Sequence, residues 1–209
     1  MPAPGDLSDC LAALSDEEQE VGRLMGYRFV RGGEFHGHTF GNLLITTLSE
    51  VEGDIGRATR VLNRLLDLKG AVWPVTSQPV ALLAHKEGGV TVTGESRIAS
   101  VPGRVERLSI VPGDAPALPE VLSALDRADL IVLGPGSLFT SVLAPLLVPQ
   151  VKARLARVRA PLLYVANIMT EAGETDGMDV YAHASALYDH VGRWPDVILV
   201  NDRPVDEPR

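Results

Sequence analysis

The sequence predicts an α/β domain built on a parallel sheet covered on both faces, with a small antiparallel insertion at about 80–110. Three observations predict it. Apolar runs at Leu130–Leu133, Leu162–Ala166 and Val197–Val200 read as buried strands. Helical patterns separate these runs. Between Val80 and Ile110 the pattern changes to hairpin alternation around Gly88-Gly89.

The elements follow in order. Pro4-Gly5-Asp6-Leu7 opens a helix that Asp6 or Ser8 caps, with Leu7, Leu11 and Leu14 on one stripe. The run Asp16–Glu20 is polar. Asn42 is the expected cap of a helix reaching about Glu52. Asp54 caps the next, whose Ile55, Val61, Leu62, Leu65 and Leu66 form an apolar face and which Gly70 ends. Ala71–Thr76 reads as a short strand. Ala81–His85 and Val90–Thr93 form the hairpin, and Arg104–Ile110 a half-buried strand beside it. A helix over Leu118–Asp126 has Pro119 in its first turn. One or two helices fill Ser137–Val158, broken near Pro145, and a further helix covers Val180–Val191. No internal repeat or linker divides the chain, so residues 1–209 read as one domain.

A chain of 209 residues buries roughly 70% of its unfolded surface and needs no disulfide to fold. Nineteen basic against 27 acidic residues give a net charge of −8, which disfavours general attraction to nucleic acid. The single cysteine, Cys10, forms no internal disulfide and reads as a core residue. Without a signal peptide, this points to the cytoplasm. Leu130–Val151 carries no charge, but Gly134, Pro135, Gly136, Pro145 and Pro149 interrupt it. It reads as strand, turn and helix, not as a membrane span.

Three segments carry candidate chemistry. Gly134-Pro135-Gly136-Ser137-Leu138-Phe139-Thr140-Ser141 follows a strand and opens a helix. Its glycines allow close approach of a ligand. The helix end offers N–H groups, and Ser137, Thr140 and Ser141 add hydroxyls, which together suit a phosphate. The same residues also read as a tight turn with Ser137 as helix cap. The segment Asn167–Gly177 is acidic. Its Glu171, Glu174 and Asp176 offer oxygens to Mg²⁺ or accept sugar hydroxyls. Equally, they lie in a solvated loop whose Thr175 and Asp176 cap the next helix. His36 and His38 flank Gly37 with only Glu34 near, which suits a turn better than a metal site. His183 and His190 share one helix face and read as packing residues. No Ser-His-Asp set and no zinc spacing emerges.

Six stretches in order resemble one family. Pro4-Gly5-Asp6-Leu7 with Cys10–Leu14 resembles "PGDLRNCLVAL", and Gly37–Leu43 resembles "GHSFGNL". Pro74-Val75-Thr76 resembles "LPVT" and Gly94-Glu95-Ser96 "GES". Gly134–Ser141 resembles "GPGSLYTS", and Asn167–Gly177 resembles "NLMTxPGETDG". The chain is therefore similar to the YvcK-like gluconeogenesis factors, within the wider group that contains the CofD 2-phospho-lactate transferases.

That resemblance implies a three-layer Rossmann-like, CofD-like fold in a cytoplasmic bacterial protein. It implies binding of a nucleotide-sugar of the UDP-N-acetylglucosamine type, without catalysis, linked to gluconeogenic growth and cell shape. The diphosphate is then expected against Gly134, Gly136, Ser137 and Thr140, beside Ser141. Asn42, Asn167, Glu171, Glu174, Thr175 and Asp176 would contact sugar or ribose, with Mg²⁺ arriving on the nucleotide. The alternative is a CofD-like transferase acting on a deazaflavin, although that branch reads more like "GPSNPxTS". A third alternative is a shortened relative without ligand binding. The family's Gly-Gly-Gly-Thr-Gly and Asp-Asp-Gly-Gly-Ser-Ser-Gly stretches precede "PGDL" and are absent from these 209 residues, so the chain reads as shortened at both ends. The helix after Gly177 usually carries Ser-Asp-His; here Tyr181, Ala182 and His183 stand there. An edge strand left open by a shortened sheet implies self-association into a homo-oligomer.

Overall fold

The computed structural model describes residues 5–31 and 33–203. Pro4, expected to open the first turn, lies outside them. The chain divides into two compact units, Met1–Pro79 and Val80–Arg209.

The first unit is helical. Helix α1 spans Gly5–Ala13, so Asp6 and Ser8 lie inside it and not ahead of it. Asp6 there complements the positive helix end. The acidic run, read from the sequence only as polar, feeds a second helix, α2 (Glu18–Met25), whose acidic first turn favours the same end and whose Val21 and Met25 face inward. Helix α3 (Phe40–Glu52) starts three residues before the expected position. Its cap is Thr39, whose hydroxyl accepts the Asn42 N–H, so Asn42 is inside the helix. Helix α4 (Ile55–Leu65) has the expected Asp54 cap but ends well before Gly70. Leu11, Ala12, Met25, Ile45 and Leu62 form the core, with Leu7 and Leu66 against it. Cys10 is exposed, contrary to its expected core place. Partial burial and then Asp6 and Asp9 push its thiol pKa up, which keeps it protonated and unreactive. Ala71–Thr76 is not a strand. The Asn63 side chain takes both backbone groups of Val72 at 2.9 Å, which leaves that residue no ladder partner to seek.

The second unit holds two sheets. Strands β1 (Ala81–Lys86), β2 (Val90–Thr93) and β3 (Val105–Val111) form an antiparallel sheet in the order β2-β1-β3. Gly88 and Gly89 both take φ +79° in the hairpin turn, where glycine meets no strain. A short helix, α5 (Glu95–Ser100), which the sequence did not announce, joins β2 to β3. A register shift between His85 and Lys86 leaves Glu106 without a partner and leaves Lys86 fully buried at the strand end.

Helix α6 (Pro119–Arg127) leads into β4 (Ile131–Leu133). A π-helical segment, Leu138–Leu143, and α7 (Ala144–Leu146) follow, then α8 (Pro149–Leu155). Strand β5 (Leu162–Val165), helix α9 (Val180–Val191) and strand β6 (Val197–Leu199) complete the unit. The parallel sheet has the order β4-β5-β6. Ile131, Leu133, Leu162 and Tyr164 share its buried face, while Val132, Val197 and Leu199 on the alternate face are 49%, 57% and 57% exposed. No helix among the described residues is long and apolar enough to cross a membrane.

His190 of α9 ties that helix to edge strand β3. Its Nε2 accepts the Leu108 N–H at 2.9 Å, and its Nδ1–H donates to the Ala186 carbonyl at 2.7 Å. Burial holds its pKa below the ordinary 6.5, so the folded protein keeps it neutral. Burial does the same to His183. For a depressed histidine, the stabilisation is complete above the ordinary value and is lost as pH falls from there toward the folded pKa. Denaturant midpoints are therefore expected to fall between about pH 7.5 and about pH 5.5, with a smaller fall in His190→Ala. That variant also orphans the Leu108 amide and is expected to cost about 1–3 kcal/mol at neutral pH.

Candidate functional site

Strands β4 and β5 run parallel, so the segments leaving their carboxyl ends emerge at one end of the sheet. After β4 the chain turns through Gly134-Pro135-Gly136-Ser137. Gly134 has φ +84°, and a Cβ there would stand 2.9 Å from the Val165 carbonyl oxygen of β5. Only glycine permits that approach. Ser137 precedes the π-helical segment but makes no side-chain capping bond. Its Oγ donates instead to Glu171 Oε1 at 2.9 Å. Thr140 Oγ1 donates to Glu174 Oε1 at 2.9 Å, and the Phe139 and Thr140 backbone amides lie close enough to the same carboxylate to lower its pKa. The N–H groups expected to meet a ligand phosphate thus face an acid of the chain itself.

The acidic segment is buried at Gly173-Glu174-Thr175 and exposed on either side. Glu174 is 3% exposed and Thr175 is fully buried. The Glu171 N–H donates to Thr175 Oγ1 and the Gly173 N–H to Asp176 Oδ2, each at 2.8 Å. Helix α9 is capped by Asp179, not by Thr175 or Asp176, through the Ala182 N–H at 2.7 Å. The Glu174 carbonyl accepts the Val105 N–H of β3 at 2.9 Å. Gly173, at φ +80°, lies against the carbonyls of Ala99 and Val101, where a Cβ would collide.

Lys86, Tyr164 and His183 join this network without having been singled out as ligand-site residues. The Lys86 ammonium donates to the carbonyl of Ile98 at 2.8 Å and to that of Val101. Burial pushes its pKa down, while Asp176 and Glu174 raise it. Tyr164 shares a 2.9 Å hydrogen bond with His183 Nδ1. Burial and the Glu171 carboxylate push its pKa up to about 12. Burial, with Glu171 as a smaller cause, also raises the pKa of Glu174. The second carboxylate oxygens of Glu171 and Glu174, both Oε2, are buried without a hydrogen-bond partner.

Gly134, Gly136, Ser137, Thr140, Glu171, Glu174, Thr175 and Asp176 thus belong to one interlocked pair of segments. Asn167 is half-buried just beyond β5, and Ser141 is exposed. Asn42 belongs to the first unit, where its Oδ1 is buried without a partner. No group of three or more His, Cys, Asp or Glu among the described residues is arranged to hold a metal.

A family model described as 2-phospho-L-lactate transferase CofD matches residues 1–209. A relative from Deinococcus radiodurans in the gluconeogenesis-factor group is 46% identical over 208 residues, covering 99% of this chain and 44% of that protein. The gluconeogenesis factor of Bacillus subtilis is 38% identical over 99% of this chain and 66% of its own length. A Bacillus halodurans crystal structure, described as a UPF0052 family member, superposes with a TM-score of 0.93 at 38% identity. It covers 99% of this chain and 67% of that one. The chain thus spans between about two-fifths and two-thirds of these proteins.

Two outcomes follow from the geometry. Gly173→Ala forces a side chain into the carbonyls of Ala99 and Val101 at a positive φ and is expected to destabilise by about 2 kcal/mol or more, read as a lower denaturant midpoint. For Glu174, a raised pKa means the fold favours the protonated acid. Its stabilisation is present below the ordinary 4.5 and lost as pH rises through the folded pKa. Glu174→Gln is expected to gain on wild type as pH rises and to match it in acid; a pH-independent difference would contradict this.

Proposed function

The chain belongs to the CofD family, and from that membership we propose that it binds a nucleotide-sugar of the UDP-N-acetylglucosamine type. It does so as a regulatory, non-catalytic cytoplasmic protein of the gluconeogenesis-factor kind, linked to carbon metabolism and cell shape. One observation carries the reading: two buried carboxylate oxygens, on Glu171 and Glu174, lack donors beside a glycine turn at the carboxyl ends of parallel strands. Ribose and sugar hydroxyls are the donors such oxygens accept. The diphosphate sits on the Gly134–Gly136 backbone and at Ser141, clear of the Glu174 carboxylate. Asn167 and Asp176 complete the polar rim. Mg²⁺ comes with the nucleotide, since the acids alone do not converge on a metal. Self-association through a sheet edge belongs to the same reading.

The description of the matching family model favours a second reading, a transferase moving a phospholactyl group to a deazaflavin. The two are separated by one pair of measurements. Calorimetric titration with UDP-N-acetylglucosamine is expected to show saturable binding, weakened at least about tenfold by Asn167→Ala and by Glu171→Ala. Absence of heat from folded protein, together with Mg²⁺-dependent turnover of a nucleotide-activated phospholactate and a deazaflavin, would replace the first reading by the second.

A further inference from the structure

Away from the acidic segment, the second unit holds a cavity of about 440 Å³ between the outer edge of β3 and helices α8 and α9. That volume suits a small metabolite. Arg107 of β3 and Lys152 of α8 line it. Burial first, and these two positive charges after it, hold the His190 pKa down. Among the described residues, neither makes an ion pair, although Arg104, Arg154 and Arg193 of the same unit all do. Both are solvent-exposed, and no acid of the described residues is paired with either. A dianion between them is attracted to both.

The walls are built. His190 is 7% exposed, with both ring nitrogens committed to Leu108 and Ala186, so it serves as a fixed wall and not as a free base. Glu106 and Asp189 line the same cavity. Their carboxylates reject a second anionic group and accept hydrogen bonds from hydroxyls. A guanidinium holds a phosphate through two parallel N–H bonds, and an ammonium adds a point charge.

We propose that this cavity binds a small phosphate monoester of a hydroxylated body. Its phosphate bridges Arg107 and Lys152, and its hydroxyls donate to Glu106 and Asp189. The site is separate from the glycine turn and does not depend on nucleotide-sugar binding there.

Amide spectra of the full chain, titrated with glucose 6-phosphate, inorganic phosphate and glucose, test it. Saturable shifts at the Leu108, Ser109 and Asp189 amides are expected with glucose 6-phosphate, several-fold weaker affinity with inorganic phosphate, and no response to glucose. Arg107→Gln and Lys152→Gln should each weaken glucose 6-phosphate at least about tenfold, and Arg159→Gln, a cation outside the cavity, should not. Denaturant midpoints confirm that each variant is folded. Binding that survives Arg107→Gln and Lys152→Gln, an equal response to glucose, or no shift at the three amides would overturn the proposal. Equal affinity for glucose 6-phosphate and inorganic phosphate would overturn the hydroxyl contacts to Glu106 and Asp189.

Discussion

Glu174 is buried at the start of the π-helical segment, and much of the second unit is arranged around it. Thr140 supplies a hydroxyl to its carboxyl, and the Phe139 and Thr140 amides near it partly offset the cost of its burial. Its own carbonyl closes onto β3 through Val105. The residue therefore joins the helix after β4, the loop after β5 and the antiparallel sheet. Burying an acid is unfavourable without such partners, and these partners can be assembled only if Gly134 and Gly173 let two backbones approach closely. The glycine turn and the acidic loop are one device: neither holds its shape without the other.

The electrostatics of this half follow from the same burial. Glu174 is pushed toward its neutral form, Lys86 is held by carbonyl oxygens, and Tyr164 remains a phenol against His183. The charges that remain are few and directed. The Glu171 carboxylate bears on Tyr164, Glu174 and His183. The net acidity of the chain says little about this interior, because local N–H groups and buried neutral groups set the potential there.

The regular elements were legible where periodicity and punctuation agree. Val180–Val191, with Asp179 ahead and Gly192 after, is helical over the expected residues. The glycine-punctuated hairpin and the three apolar parallel strands also formed. What escaped depended on partners distant in sequence. Asn63 satisfies Val72 and so replaces a strand that local propensity favours. Helix α2 lay hidden in an acidic run because its inward face is narrow, chiefly Val21 and Met25. Lys86, fully buried at a strand end beside the register shift in β1, carried no signal in the sequence pattern. The pairings Ser137–Glu171 and Thr140–Glu174 each span 34 residues. Their residue types were picked as ligand groups, but sequence spacing could not reveal that they would engage one another.

Strand β3 lies at the edge of its sheet, where free amides ordinarily invite a strand from another molecule. Its Leu108 amide is taken by an imidazole and its Val105 amide by the Glu174 carbonyl. An incoming chain would have to displace both before it could extend the ladder. The edge is thereby blunted against sheet-to-sheet aggregation by a side chain and a loop, without the proline or surface lysine that more commonly guards such a strand.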